Sequence, residues 1–93
     1  MIKYKFAIYI VSSKFYPGDL VRFNFWSSYL APTAGPDENG LINWYELFPG
    51  DRGIVIYVCE KDSNVECDDT VTVVFSRVEK ILKVHINQLK HDT

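Results

Sequence analysis

The chain lacks several features that would assign it to a functional class at once. No stretch approaches the roughly 20 consecutive apolar residues of a membrane-spanning helix. The apolar run 6–11 follows Lys3 and Lys5, but it is too short for an export signal and no small-residue cleavage site follows it. We therefore expect a cytoplasmic protein without a membrane partner.

An excess of charge of one sign is also missing. Lysine and arginine number 10 against 12 aspartate and glutamate residues, which gives a net charge of −2. The charges are unevenly distributed along the chain. Residues 1–36 contain four basic and one acidic residue, 37–69 contain two basic and nine acidic residues, and 70–93 contain four basic and two acidic residues. Proteins that bind duplex DNA through phosphates usually show a pronounced basic patch, so the total disfavours that role and leaves a local basic face open.

The two cysteines and two histidines form no recognisable metal or catalytic motif. Cys59 and Cys67 are separated by seven residues, and His85 and His91 by five, whereas a zinc knuckle takes two ligands from one short turn. We expect no metal and no cofactor. A disulfide is sterically possible if the strand that ends near Cys59 pairs with the strand that follows Cys67, but free thiols are the expectation for a cytosolic chain. No motif pairs a nucleophile with a base or builds a phosphate-binding loop, so we expect no enzymatic activity.

A turn signature occurs twice. Tyr16-Pro17-Gly18-Asp19 precedes the segment 20–25, and Phe48-Pro49-Gly50-Asp51 precedes 53–58. Proline presets φ at the second position of a type II β-turn, and glycine accepts the positive φ required at the third. Each turn therefore predicts the start of a strand, in a small barrel or sandwich.

Apolar patterning predicts further strands. Residues 2–11 and 71–75 alternate between apolar and other side chains, whereas 53–60 is almost continuously apolar, as for a strand covered on both faces. We expect 53–60 to pair with 71–75, a tight turn near 77–80, and a closing turn and tail over 87–93. The predicted core consists of Val21, Phe23, Ile54, Ile56, Val73, Phe75, Val84 and Leu89. A chain of this length supports one such core, hence a single domain over 1–93.

Residues 27–48 form the longest irregular stretch. The Asn39-Gly40 pair within it is a strong hairpin signal, because both residues tolerate positive φ. We interpret the stretch as a projecting hairpin with residues 41–45 as its returning arm. Excursions of this length usually have a function or are disordered.

The order of these segments resembles an SH3-like barrel. The residues that carry the resemblance are Gly18-Asp19-Leu20-Val21, Pro49-Gly50-Asp51-Arg52-Gly53-Ile54-Val55, Val71-Thr72-Val73-Val74-Phe75 and Val84-His85-Ile86-Asn87-Gln88-Leu89. Similar "GD-x-V", "G-x-V" and terminal "L" motifs occur in small SH3-like and KOW-like domains, including short proteins of unassigned role from tailed bacteriophages. The resemblance covers about residues 15–90. It implies an all-β, SH3-like small barrel of five or six antiparallel strands, with a long loop over 27–48 after the first barrel strand and an extra N-terminal strand over 2–11.

Aromatic residues are the candidate binding groups. Nine of the 14 lie within residues 15–48, more than a core of this size can hide. In SH3-like barrels the long loop commonly lines an aromatic groove. The resemblance therefore implies a partner-binding site composed of Tyr16, Trp26, Tyr29, Trp44 and Tyr45. The alternative is that these side chains anchor the loop to the barrel.

The resemblance also implies a binding module without catalysis, and the first hypothesis is a protein-interaction module. Such a module could be a bacteriophage accessory factor that acts on a host or viral protein in the host cytoplasm.

Two alternatives stay open. One is a KOW-like nucleic-acid-binding module with aromatic side chains for stacking. Its phosphate-facing residues would be Arg77, Lys80, Lys83, His85 and Lys90. The other is a virion or assembly subunit whose N-terminal strand adds to a neighbour's sheet.

Overall fold

The computed structural model describes residues 15–59 and 69–92. These residues form seven strands and one 3-10 helix (Ile86–Gln88), with no α-helix among them. The strands are β1 (Leu20–Phe23), β2 (Tyr29–Pro32), β3 (Trp44–Leu47), β4 (Arg52–Val58), β5 (Thr70–Phe75), β6 (Lys80–His85) and β7 (Leu89–His91). The prediction of an all-β fold is confirmed. The extra strand expected over 2–11 lies outside the described residues.

Five of the strands form one antiparallel sheet in the order β6-β5-β4-β1-β7, and β2 pairs with β3 in a separate hairpin. The edges of the five-stranded sheet are β6 and β7, so the described strands do not close into a barrel. The hairpin lies against β6, where Thr33 bridges Leu82 and the Ala34 amide donates to the Ile81 carbonyl at 3.0 Å.

The two Pro-Gly turns adopt the same geometry, as their sequences predict. Gly18 and Gly50 both have φ of 96°, which L side chains rarely adopt. In each turn the final aspartate closes the loop: the Asp19 carboxylate accepts from the Tyr16 amide at 2.8 Å, and the Asp51 carboxylate accepts from the Phe48 amide at 2.9 Å.

Each turn also continues the pairing of β1 with β4. The Gly18 amide donates to the Val55 carbonyl and the Gly50 amide donates to the Phe23 carbonyl, both at 2.8 Å. The two turns therefore lie at opposite ends of the β1–β4 ladder in equivalent positions, and they fix its register, in which Val21 is opposite Gly53.

The stretch 27–48 is ordered around the β2–β3 hairpin. Its returning arm is Trp44–Leu47, three residues later than the predicted start at 41, because the connection contains its own polar turn. The Asp37 carboxylate accepts from the Asn39 and Leu41 amides at 2.9 and 3.0 Å and from the Asn43 side chain at 3.1 Å. These bonds to Leu41, Asn43 and Asn39 lower the pKa of Asp37. Gly40 has a positive φ and Asn39 does not.

The core lies between the inner face of the sheet and the hairpin. Its fully buried residues include Val21, Phe23, Ala31, Leu47, Val55, Val71, Val73, Phe75, Leu82 and Val84. The prediction is wrong for Ile54 and Ile56, which are 45% and 43% exposed. In β4 it is Gly53 and Val55 that point inward, because a continuous apolar run does not indicate which of its two faces is buried.

The C-terminal segment adds a strand where a tail was expected. The 3-10 helix Ile86–Gln88 is capped by His85, whose amide donates to the Gln88 side chain at 3.0 Å. The helix ends at Gln88, and the next residue, Leu89, is buried and begins β7, which pairs with β1 on the side opposite β4.

Candidate binding surfaces

The five aromatic residues predicted to form one partner-binding site do not form a single surface. Trp26 and Tyr29 lie where the chain passes from β1 into the hairpin, whereas Tyr16 belongs to the first Pro-Gly turn. Trp44 and Tyr45 are neighbours in β3 and therefore point to opposite faces of the hairpin.

A smaller cluster of aromatic rings is built on the end of β1. We call Phe25, Trp26 and Tyr29 the aromatic corner. The Phe25 ring centroid lies 5.6 Å from that of Trp26 and 5.8 Å from that of Tyr29. Phe25 also lies 5.9 Å from the fully buried Phe23. The corner is therefore anchored in the core, while its outermost ring, Trp26, is 85% exposed.

The hairpin separates the other two predicted residues. Trp44 is opposite Pro32 and is 59% exposed. Tyr45 is opposite the buried Ala31 and packs against the core, and the Lys80 ammonium lies 5.6 Å from its ring centroid. Tyr45 thus supports the anchoring interpretation, and Trp44 does not.

The five basic residues of the nucleic-acid hypothesis do not lie on one surface either. Arg77 donates two hydrogen bonds to Asp51, both of 2.8 Å, and one of 2.7 Å to the Glu46 carbonyl. The bond to Asp51 raises the pKa of Arg77. The Arg77 guanidinium and the Lys80 ammonium thus each have a partner within the protein.

Lys83, His85 and Lys90 lie on the face of the five-stranded sheet that is turned away from the core, which we call the outer face. Lys83 and His85 alternate with the buried Leu82 and Val84 of β6, and Lys90 follows the buried Leu89 of β7. The structure adds Arg22 and Arg52 to this face. The alternation of β1 already places Arg22 outward, but its position opposite Arg52 depends on the strand register.

No group of three or more metal-ligating side chains occurs within 15–59 and 69–92. The His91 imidazole stacks on Phe15 at 4.5 Å and lies 3.4 Å from the Asp19 carboxylate. Cys59 is disulfide-bonded, so the prediction of a free thiol is wrong for this residue. Cys67 lies outside the described residues.

Comparison of the chain with protein-family models, with curated proteins and with solved structures finds no match in any of the three. In the part of the chain that the structure describes, no helix is long and apolar enough to cross a membrane.

Proposed function

We propose that this chain is a non-catalytic protein-interaction module that binds its partner through the aromatic corner. The observation that carries the proposal is the 85% exposure of Trp26 on a base of packed rings. Exposing a tryptophan to water is unfavourable, and partner binding would remove that exposure.

The packing beneath Trp26 supports this role. Phe25 and Tyr29 contact each other and the buried Phe23 through their rings. A ring held in this way loses little conformational freedom when a partner covers it, which is typical of the aromatic anchors that dominate protein interfaces.

The proposal keeps the SH3-like resemblance of the sequence, and it is supported by a five-stranded antiparallel sheet with a hairpin inserted after β1. The narrower proposal of a bacteriophage accessory factor in the host cytoplasm rests on the sequence resemblance alone. The assembly-subunit alternative depends on residues 2–11, which the structure does not describe.

The test compares two exposed tryptophans. Trp26→Ala removes the outermost ring of the corner, and Trp44→Ala removes a 59% exposed ring from the hairpin and is the matched control. The immobilised chain is used to capture a partner from lysate, and the purified partner is then titrated against each variant. We expect Trp26→Ala to weaken binding by about 2–4 kcal/mol, with little change in melting temperature, and Trp44→Ala to bind normally.

A large loss of melting temperature in Trp26→Ala with unchanged partner affinity would show that the corner is scaffold. Loss of binding in Trp44→Ala alone would instead place the site on the exposed side of the β2–β3 hairpin that carries Trp44.

A further inference from the structure

Three cationic side chains form a row across the outer face. Arg22 of β1 is opposite Arg52 of β4 on one side and opposite Lys90 of β7 on the other. All three point outward, because the residues that alternate with them, including Val21, Gly53 and Leu89, are buried. Side chains directly opposite each other in antiparallel strands begin about 4.5–5.5 Å apart.

The three cations repel one another, and the contacts of the described residues do not offset this repulsion. Like charges directly opposite in a sheet repel each other. The described carboxylate nearest to the row belongs to Asp92, 3.4 Å from the Arg52 Nε, and the Arg52 side chain is 69% exposed. An ion pair in that setting contributes little. Arg22 and Lys90 have no carboxylate partner among the described residues.

An apolar row lies beside the cationic one. Leu20 is opposite Ile54, Ile54 is opposite Val74, and Val74 is opposite Ile81, so the row crosses four strands. Leu20, Ile54 and Ile81 are each about half exposed, at 56%, 45% and 46%. The apolar row thus offers a contact surface next to the charges.

The third row adds an aromatic ring and a fourth cation. Tyr57 is opposite Thr72, and Thr72 is opposite Lys83. Tyr57 is 59% exposed. The outer face therefore presents cations on both sides of apolar and aromatic side chains.

We propose that the outer face binds a single-stranded nucleic acid, with Arg22, Arg52 and Lys90 on its phosphates and Tyr57 stacked against a base. Single-strand sites combine a positively charged track with rings on which bases stack. An acidic peptide would engage the same cations and leave the Tyr57 ring without a matching group. This surface is separate from the aromatic corner, and neither proposal depends on the other.

The probe is a fluorescein-labelled oligothymidylate of 20 nucleotides, titrated by fluorescence anisotropy between 50 and 200 mM potassium chloride. Three phosphate contacts on a single strand predict a slope of about −2 in log K against log salt concentration. We expect Arg22→Gln and Lys90→Gln each to weaken binding about two- to fivefold and to reduce the slope by about 0.7. Tyr57→Ala should weaken binding at least about fivefold, through loss of stacking.

Lys80→Gln is the matched charge control, because Lys80 lies over the Tyr45 ring rather than on the outer face. Trp44→Ala is the aromatic control. Both should bind the probe as the parent chain does, and melting temperatures confirm that each variant is folded.

Three results would overturn the proposal. The first is absence of probe binding at 50 mM salt, and the second is a loss in Lys80→Gln equal to that in Arg22→Gln. The third is tighter binding of a labelled 20-residue polyglutamate peptide than of the oligonucleotide at equal salt, which would identify an acidic protein as the ligand.

Discussion

Arg77 donates to both carboxylate oxygens of Asp51, from its Nε and from one terminal nitrogen, each at 2.8 Å. The same terminal nitrogen donates to the Glu46 carbonyl at 2.7 Å, and the guanidinium carbon lies 4.8 Å from the Phe48 ring centroid. One side chain thus connects the turn between β5 and β6 to β3 and to the second Pro-Gly turn.

The first prediction concerns this connection. Arg77→Ala should lower the melting temperature, because it removes three hydrogen bonds and leaves the Asp51 carboxylate without its cation. Arg77→Lys should lose most of the same stability, since an ammonium cannot reproduce the two-pronged contact. Arg52→Ala, which breaks a more exposed ion pair of 3.4 Å, is the control and should change the melting temperature little. A lysine variant as stable as the parent would contradict the geometric argument.

The second prediction concerns acid. The hydrogen bond from Arg77 is the largest cause that holds the pKa of Asp51 below its usual value of 3.8, and the hydrogen bond from the Phe48 amide and the positive charge of Arg77 act in the same direction. A carboxylate with a lowered pKa contributes stability above its unfolded-state pKa, and that stability is lost as pH falls through the folded-state pKa. The parent and Asp51→Asn should therefore differ by a constant amount from pH 7 to about 5 and converge below about pH 4.

Melting temperatures across that range measure the effect. Asp19→Asn is the control. Its side-chain carbonyl can still accept the equivalent turn hydrogen bond, and it loses only a 3.4 Å contact with His91 and no arginine contact. It should therefore change the melting temperature at pH 7 less than Asp51→Asn does. A difference between the parent and Asp51→Asn that persists unchanged at pH 3 would show that the carboxylate is not the titrating group.

The sequence predicts strands best where a local signal fixes them. The Pro-Gly turns set the starts of β1 and β4, and alternation identifies Val73 and Phe75 as core residues. The prediction is wrong for Ile54 and Ile56 because no polar residue within 53–58 marks the exposed face of that strand. The deciding fact is tertiary: only Gly53 leaves room for the Val73 side chain that lies over it.

The candidate surfaces were harder to predict because they depend on register. Arg22, Arg52 and Lys90 are widely separated in sequence, and no local pattern indicates that they are opposite one another. Exposure of Trp26 and partial burial of Tyr45 depend likewise on where the hairpin lies on the sheet. The aromatic count indicated that some rings are exposed, but not which ones.

The third prediction tests the register of β4. A Cβ at Gly53 would lie 2.5 Å from the Val73 Cγ1 and 2.6 Å from the Val74 carbonyl oxygen. The carbonyl belongs to the paired strand and cannot move away without breaking the ladder, so Gly53→Ala should cost about 1–3 kcal/mol. Gly35→Ala is the control, since nothing lies within 4 Å of its Cβ. Equal stability of the two variants in urea unfolding would mean that Gly53 does not face Val73.

The fourth prediction concerns Cys59, which follows β4 directly and is disulfide-bonded. The chain contains two cysteines, so thiol titration of the unfolded protein should find none before reduction and two after it. Reduction should lower the melting temperature, because removing a disulfide typically reduces the free energy of unfolding by about 2–4 kcal/mol. Cys59→Ser should be equally destabilised and insensitive to reductant.

A reductant-sensitive melting temperature would also bear on location, because structural disulfides persist where thiols are not kept reduced. It would favour an oxidising compartment over the cytoplasm expected from the sequence. Two titratable thiols in the purified protein, with a melting temperature that reductant leaves unchanged, would instead restore the free-thiol interpretation and the cytoplasmic expectation together.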